Sequence, residues 1–170
     1  MTNVNRSVIV ILLFLLILTM LGLASFREPE LAIQPLLFSH NLHIEEMDLQ
    51  CGDCHTEATR RARATFPTTE ACTTCHDDPL TETETEAQLL AYTHEDREIP
   101  WQRIYMVPDH VYFSHRRHVT LGNVPCETCH GNIRSMTEPL DRPLIPVSMD
   151  RCMDCHEEHQ VTNDCLSCHR

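Results

Sequence analysis

All ten cysteines of this 170-residue chain fall into Cys-x-x-Cys pairs, and a histidine follows each pair directly. The five motifs are Cys51-Cys54-His55, Cys72-Cys75-His76, Cys126-Cys129-His130, Cys152-Cys155-His156 and Cys165-Cys168-His169. This pattern is typical of covalent haem c attachment, in which both thiols bond to the haem and the histidine is the proximal ligand of its iron. The sequence therefore predicts five covalently bound haem c groups.

Two other uses of paired cysteines are less consistent with this spacing. Zinc sites also contain Cys-x-x-Cys pairs, but zinc does not require a histidine after every pair. Because 12 of the 170 residues are histidine, five such coincidences have a probability of about 10⁻⁶. Redox-active disulfides would call for a thioredoxin-like alternation of strands and helices, which the sequence lacks.

Four histidines outside the motifs repeat at a fixed spacing. The segment Phe-Ser-His-x-x-His occurs at 38–43 and at 113–118, and in both copies seven residues separate it from the next motif. The repetition predicts an internal duplication, with two haems in the first unit and three in the second. It also predicts that His40, His43, His115 and His118 are distal iron ligands.

The repeat supplies distal ligands for four haems and none for the fifth. The candidates near the last motifs are Met149, His110 and His159. His159 lies in an acidic run and is more typical of a surface residue, which leaves Met149 and His110. A methionine ligand would raise the potential of its haem relative to haems with two histidine ligands.

The N-terminal segment is apolar. Residues 8–26 carry no charge, and Arg6 is the single basic residue before them. This length suits an uncleaved membrane-spanning helix, although Gly22 and Ala24 also suit the cleavage site of a secretory signal. Either alternative exports the remaining chain. The uncleaved helix is the preferred one, so we expect single-pass attachment to the inner (cytoplasmic) membrane, with the haem domain on the periplasmic face.

Few residues are available per haem, so the haems themselves would supply most of the apolar core. We expect a multihaem cytochrome c fold, mostly coil with short α-helices wrapped around five haems, plus one N-terminal transmembrane helix. The expected domains are a membrane anchor (1–26), a first dihaem unit (27–80), an acidic linker or helix (81–100) and a second unit with three haems (101–170).

The charge of the chain excludes two classes of binding partner. Its formal net charge is −12, and its 13 basic residues are all arginine. Nucleic acid and anionic lipid surfaces both require clustered basic residues, so neither is an expected partner.

One region is similar to a known family. The stretch "PWQRIYMVPDHVYFSHRRHVTLGNVPCETCHGNI" (100–133) resembles the pentahaem cytochrome c subunit of alternative complex III, within the class III-like (cytochrome c3/c7-like) multihaem cytochromes. "IQPLLFSHNLH" and "VSMDRCMDCH" resemble it as well. The resemblance implies Met149 as the fifth distal ligand. It also implies iron–sulfur and polytopic quinol-binding membrane subunits as partners, and cytochrome c or a similar protein as acceptor.

The expected function is therefore electron transfer by a non-enzymatic subunit of a respiratory chain, from a quinol-oxidising membrane complex to an acceptor. A free-standing anchored shuttle and a conduit linked to a photosynthetic reaction centre are alternatives. A multihaem reductase of nitrite or a similar molecule is less consistent. The pentahaem nitrite reductases use a lysine ligand on an open haem, whereas this chain has no lysine and has histidine in all five motifs.

Overall fold

The computed structural model describes residues 5–25 and 31–169. The chain divides into two compact units, Met1–Leu31 and Ala32–Arg170. The first unit contains one helix, α1 (Arg6–Ser25), along which the large apolar side chains from Val8 to Leu18 are 44–64% exposed.

The described residues contain no helix that is both long enough and apolar enough, along its described length, to span a bilayer. The predicted anchor (1–26) includes residues 1–4 and 26, which lie outside the described residues. The membrane-spanning helix therefore stays a prediction.

The second unit consists of short helices joined by coil, as expected. Its described α-helices are α2 (Cys51–Cys54), α3 (Glu57–Arg60), α4 (Thr69–Thr73), α5 (Glu84–His94), α6 (Cys126–His130), α7 (Met149–Glu158) and α8 (Cys165–Cys168). Two π-helical turns, π1 (Leu42–Glu46) and π2 (Arg116–Leu121), and a 3-10 turn at Ile133–Ser135 complete the set.

The cysteine motifs begin on or within helices, and three of them share a hydrogen bond. The histidine backbone N–H donates to the carbonyl of the first cysteine at 2.9 Å in His55, His76 and His169. Side-chain caps begin two of the motif helices: Ser148 accepts from the Arg151 amide before α7, and Asp164 accepts from the Leu166 amide before α8. Such caps satisfy amides that have no partner inside the helix.

The two copies of Phe-Ser-His-x-x-His fold alike. Each continues into a π-helical turn that is followed by a non-glycine residue in the left-handed region, Asp48 (φ 56°) in the first copy and Asn123 (φ 50°) in the second. The next amide then donates back to the second histidine's carbonyl, at 3.1 Å and 3.0 Å. Aspartate and asparagine tolerate this conformation better than most residues. The repeat in sequence is thus a repeat in structure.

The described residues bury only a small core of side chains. The buried apolar residues are Leu36, Leu90 and Ile99, and the buried polar ones are Thr69 and Glu86. Two of these lie on α5, so the segment 81–100, expected as an acidic linker or helix, contains a helix with a buried face. The alternation of threonine and glutamate in this segment is typical of a solvated surface, and the burial arises from packing against α4.

Candidate haem-binding sites

A phenylalanine holds the two histidines of each repeated segment. The ring of Phe38 stacks on His43 with centroids 4.4 Å apart, and Phe113 stacks on His118 at 4.6 Å. The first histidine of each segment meets the same phenylalanine edge-on, at 4.9 Å and 4.8 Å. These contacts orient the two imidazoles differently, so that each can serve a different haem.

Hydrogen bonds fix which nitrogen of these rings is free. Nδ1 of His43 donates to the Ser39 carbonyl at 2.8 Å, and Nδ1 of His118 donates to the Ser114 carbonyl at 2.8 Å. A neutral imidazole that donates through Nδ1 has an unprotonated Nε2, the form that binds a metal. Both rings are therefore prepared as ligands.

Three of the predicted distal histidines face a motif histidine across a gap that fits an iron. The ring centroids are 6.3 Å apart in His43–His76, 6.4 Å in His115–His130 and 6.1 Å in His118–His156. An iron with two axial imidazoles, at the roughly 2 Å metal–nitrogen distance of first-row metals, holds ring centroids roughly 6 Å apart. The structure thus brings together three pairs with the separation that two-histidine ligation requires.

His40 takes the equivalent place in the first repeat. Burial lowers the pKa of His40 to about 4, and the neighbouring His55 and His43 lower it further in that order. Its Nδ1 is buried without a hydrogen-bond partner in the described residues. His40 and His55 correspond by the repeat to His115 and His130, so we expect them to form a matching fourth pair. A depressed pKa keeps the ring neutral, as an iron ligand must be.

The motif histidine His169 faces His110, with ring centroids 5.4 Å apart and an interplanar angle of 23°. Met149, predicted as the fifth distal ligand, is the first residue of α7 and is 60% exposed. His159 donates through Nδ1 to the Cys155 carbonyl of its own helix at 2.9 Å. None of these contacts tests the ligation itself, so Met149 stays a prediction.

No two of the ten cysteines form a disulfide, and sulfur atoms of different motifs are neighbours. Burial raises the pKa of the Cys126 thiol, and Cys51, which is close enough to hydrogen-bond with it, raises the pKa further. Burial followed by the nearby Cys54 raises the pKa of Cys72. The attachment site of the first motif therefore adjoins those of the second and the third.

The remaining attachment sites continue this series. Burial raises the pKa of the Cys152 thiol, and the neighbours Cys129 and Cys168 raise it further. The fourth motif thus adjoins the third on one side and the fifth on the other. In space, the order of the sites is second, first, third, fourth, fifth.

One motif histidine has an acidic partner that the sequence did not identify. Nδ1 of His76 donates to Oε1 of the buried Glu86 at 2.8 Å. Glu86 was missed because its segment was expected to be solvated. Phe38 and Phe113 were also given no role, although their repetition was the signal that could have found them.

These residues fit haem c in three ways: paired free thiols on one helical turn, a histidine at the end of that turn, and a second imidazole facing it. Within residues 5–25 and 31–169, no group of three or more His, Cys, Asp and Glu side chains is arranged to hold a bare metal ion.

Comparison with known proteins gives a family match and a relative. The model of the family described as cytochrome c7 and related cytochrome c matches residues 36–95 and 111–170. The two matches are offset by 75 residues at both ends, 36 to 111 and 95 to 170, which is also the offset of the repeated Phe-Ser-His segments from 38 to 113.

The chain is also 35% identical over 98 residues to the "Menaquinone reductase, multiheme cytochrome c subunit" of Nitratidesulfovibrio vulgaris (strain Hildenborough). The alignment covers 57% of this chain and 45% of that relative, so the chain spans less than half of the relative's length.

Proposed function

The chain belongs to the family of cytochrome c7 and related cytochromes c, and on that premise we propose that it is the five-haem electron-transfer subunit of a membrane complex that exchanges electrons with quinones. The observation that carries this proposal is the set of histidine pairs 6.1–6.4 Å apart, each joining a motif histidine to a distal one. A bound haem c supplies one-electron chemistry through its iron.

The residues support transfer rather than substrate chemistry. A reductase needs an iron with an open position, whereas the paired imidazoles offer each of these irons two ligands. In the spatial order second, first, third, fourth and fifth, the thiols of each site have neighbours in the next site, so the attachment sites form a series. Its ends are the site of Cys72 and Cys75 and the site of Cys165 and Cys168. Such a series suits a subunit that takes electrons at one end and delivers them at the other.

The proposed partners are iron–sulfur and polytopic quinone-binding membrane subunits. The resemblance to alternative complex III favours electrons leaving a quinol for cytochrome c or a similar acceptor. The relative is named as a subunit of a menaquinone reductase, which favours the opposite direction, with electrons passing to menaquinone. The proposal covers both directions, because the same series of sites serves either.

Attachment to the membrane is part of the proposal. The exposed apolar side chains from Val8 to Leu18 have no charge among them, and burying such a surface in lipid is favourable. The expected result is that carbonate washing leaves the protein with the membrane. Deletion of residues 1–26, with a cleavable export signal added, should release a holoprotein with its haems intact.

The deciding experiment is mass spectrometry of the protein and its partners, purified from membranes in mild detergent. The expected results are an intact mass with five haems and recovery together with quinone-binding subunits. A mass with fewer haems would contradict the motif assignment. Recovery alone would favour the anchored shuttle, and recovery with photosynthetic subunits would favour the reaction-centre conduit.

A second measurement separates the two directions and tests for an enzymatic site. If a menaquinol analogue reduces the haems of the purified complex within one turnover, the chain lies downstream of quinol. If the pre-reduced haems are instead oxidised by a menaquinone analogue, it lies upstream. Carbon monoxide binding to the reduced protein by a full haem equivalent would refute the transfer role.

A further inference from the structure

We propose that His110 is the distal ligand opposite His169, so that the last haem site is a two-histidine site. The inference rests on the proposed function, since it requires a haem at the fifth motif. Within the described ranges, His110 is the residue whose ring meets that of His169, with centroids 5.4 Å apart.

The backbone holds this pair together. The residue after His110, Val111, forms an isolated antiparallel bridge with His169. The amide of Tyr112 donates to the Cys168 carbonyl at 2.8 Å, and the amide of Val111 donates to the Pro108 carbonyl at 2.9 Å. A turn therefore presents His110, and two strand-like contacts fix that turn against the last motif. The approach of the rings follows from the course of the chain rather than from one side-chain rotamer.

The geometry resembles that of the other pairs. The interplanar angle is 23°, against 22° in His118–His156. The centroid separation is 0.7 Å shorter, 5.4 Å against 6.1 Å. A small rotation of the His110 side chain closes this difference, because His110 lies in a turn.

The competing ligands have weaker geometry. Met149 begins the helix that carries the fourth motif, and its side chain is 60% exposed. His159 ends the same helix and donates to that helix's backbone. Neither residue makes a ring or hydrogen-bond contact with His169 among the described residues, whereas the ring of His110 stacks on that of His169 and the next residue, Val111, bridges to its backbone.

The test uses spectroscopy of the oxidised holoprotein, with haem counted by intact mass. The wild-type protein should show five low-spin haems and no near-infrared charge-transfer band of methionine-ligated iron. His110→Ala should convert one of the five haems to high spin, with the haem count unchanged, while the matched control Met149→Ala should leave all five low-spin. A methionine band in the wild type, or conversion by the control alone, would overturn the proposal.

A second variant tests the same ligand assignment if the His110→Ala protein does not accumulate. His110→Met keeps a ligand at the position, so all haems should stay low-spin and one midpoint potential should rise. Unchanged potentials would overturn the ligand assignment. A mass with fewer than five haems in the wild type would instead refute the haem count on which the inference rests.

A different observation carries a second inference, at the opposite end of the series. The Nδ1 atoms of His43, His118 and His156 donate to backbone carbonyls. His76 donates instead to a carboxylate, Oε1 of Glu86, which is 5% exposed. We infer that Glu86 is a positioning residue that gives the haem of the second motif a lower potential than a carbonyl partner would.

Hydrogen bonds hold the Glu86 side chain in place. Its carboxylate accepts hydrogen bonds from the Thr81 hydroxyl at 2.6 Å and from the Leu80 amide at 2.9 Å. These bonds hold the carboxylate beside Nδ1 of His76. A histidine that donates to a carboxylate is a more basic ligand, and a more basic ligand stabilises the oxidised iron.

Potentiometric titration of the holoprotein tests the role of Glu86. Glu86→Gln should raise one midpoint potential, while Glu84→Gln, an exposed change on the same helix, should move none. Thr81→Val removes one competing donor to the carboxylate, so it should shift the same haem's potential downward. A purely structural role would change the unfolding midpoint without these opposite shifts, and unchanged potentials in both variants would overturn the inference.

Discussion

The hydrogen bonds between α4 and residues 97–99 stabilise the region of the second haem site, and their contribution to the free energy of unfolding can be measured. Thr69 begins α4, is 5% exposed, and lies three residues before Cys72. Its hydroxyl donates to the Arg97 carbonyl at 2.8 Å and accepts from the Ile99 amide at 3.1 Å. One oxygen atom thus satisfies two backbone groups next to the small core.

Thr69→Val keeps the shape of the side chain and removes that oxygen. The Ile99 amide is then buried without a partner, and the Arg97 carbonyl loses one. An unsatisfied buried group costs about 1–3 kcal/mol, so the free energy of unfolding should fall by about 2–4 kcal/mol. The assay is denaturant unfolding of the oxidised holoprotein, followed by circular dichroism in the haem region.

Thr73→Val is the matched control. Its hydroxyl donates to the Glu70 carbonyl at 2.8 Å in an exposed hydrogen bond on the same helix, so its loss should cost less than about 0.5 kcal/mol. Equal losses in the two variants would refute the argument that burial decides the cost. The haem count of both variants, measured by mass, should remain that of the wild type.

Three further outcomes are expected. Gly131→Ala should lower the free energy of unfolding by roughly 1–3 kcal/mol, because Gly131 has φ 75° and a Cβ there would lie 3.2 Å from Leu144 Cβ. In the control Gly52→Ala, the added Cβ meets nothing within 4 Å, so the free energy of unfolding should not fall. Both are checked by denaturant titration. Ending the chain at Asp164 should remove one haem by intact mass, and an unchanged count would contradict the attachment motif. His115→Ala should leave one haem five-coordinate, and a fully low-spin visible spectrum would argue against its pairing with His130.

The sequence predicted the local parts of the fold well. A motif that needs two thiols and an imidazole on one turn leaves little freedom, so short helices at the five motifs follow from spacing alone. The repeated Phe-Ser-His-x-x-His segment likewise predicted four distal histidines, and the structure places three of them opposite motif histidines. Their pairing with particular motif histidines was beyond the sequence, because it depends on how coil segments far apart in the chain meet.

Two features show why the rest could not be predicted. His110 approaches His169 through a backbone bridge between segments 59 residues apart, 110 to 169, and no periodicity marks such a contact. Glu86 lies in a run of alternating threonine and glutamate that is typical of a solvated face. Its burial depends on the chain turning after Cys75, which places His76 and Thr81 beside it.

The two matched segments differ in the motif at their C-terminal ends, and this difference explains where the small core lies. Shifted back by 75 residues, Cys165, Cys168 and His169 fall on Leu90, Thr93 and His94, so the first segment keeps the histidine but has no thiols there. The helix α5 occupies this place, and Leu90 and Ile99 are among the few apolar side chains that the described residues bury. Where a haem can attach, a porphyrin face can supply the apolar interior. Where the thiols are missing, the chain must bury side chains of its own, and the same helix then brings Glu86 to the neighbouring motif histidine.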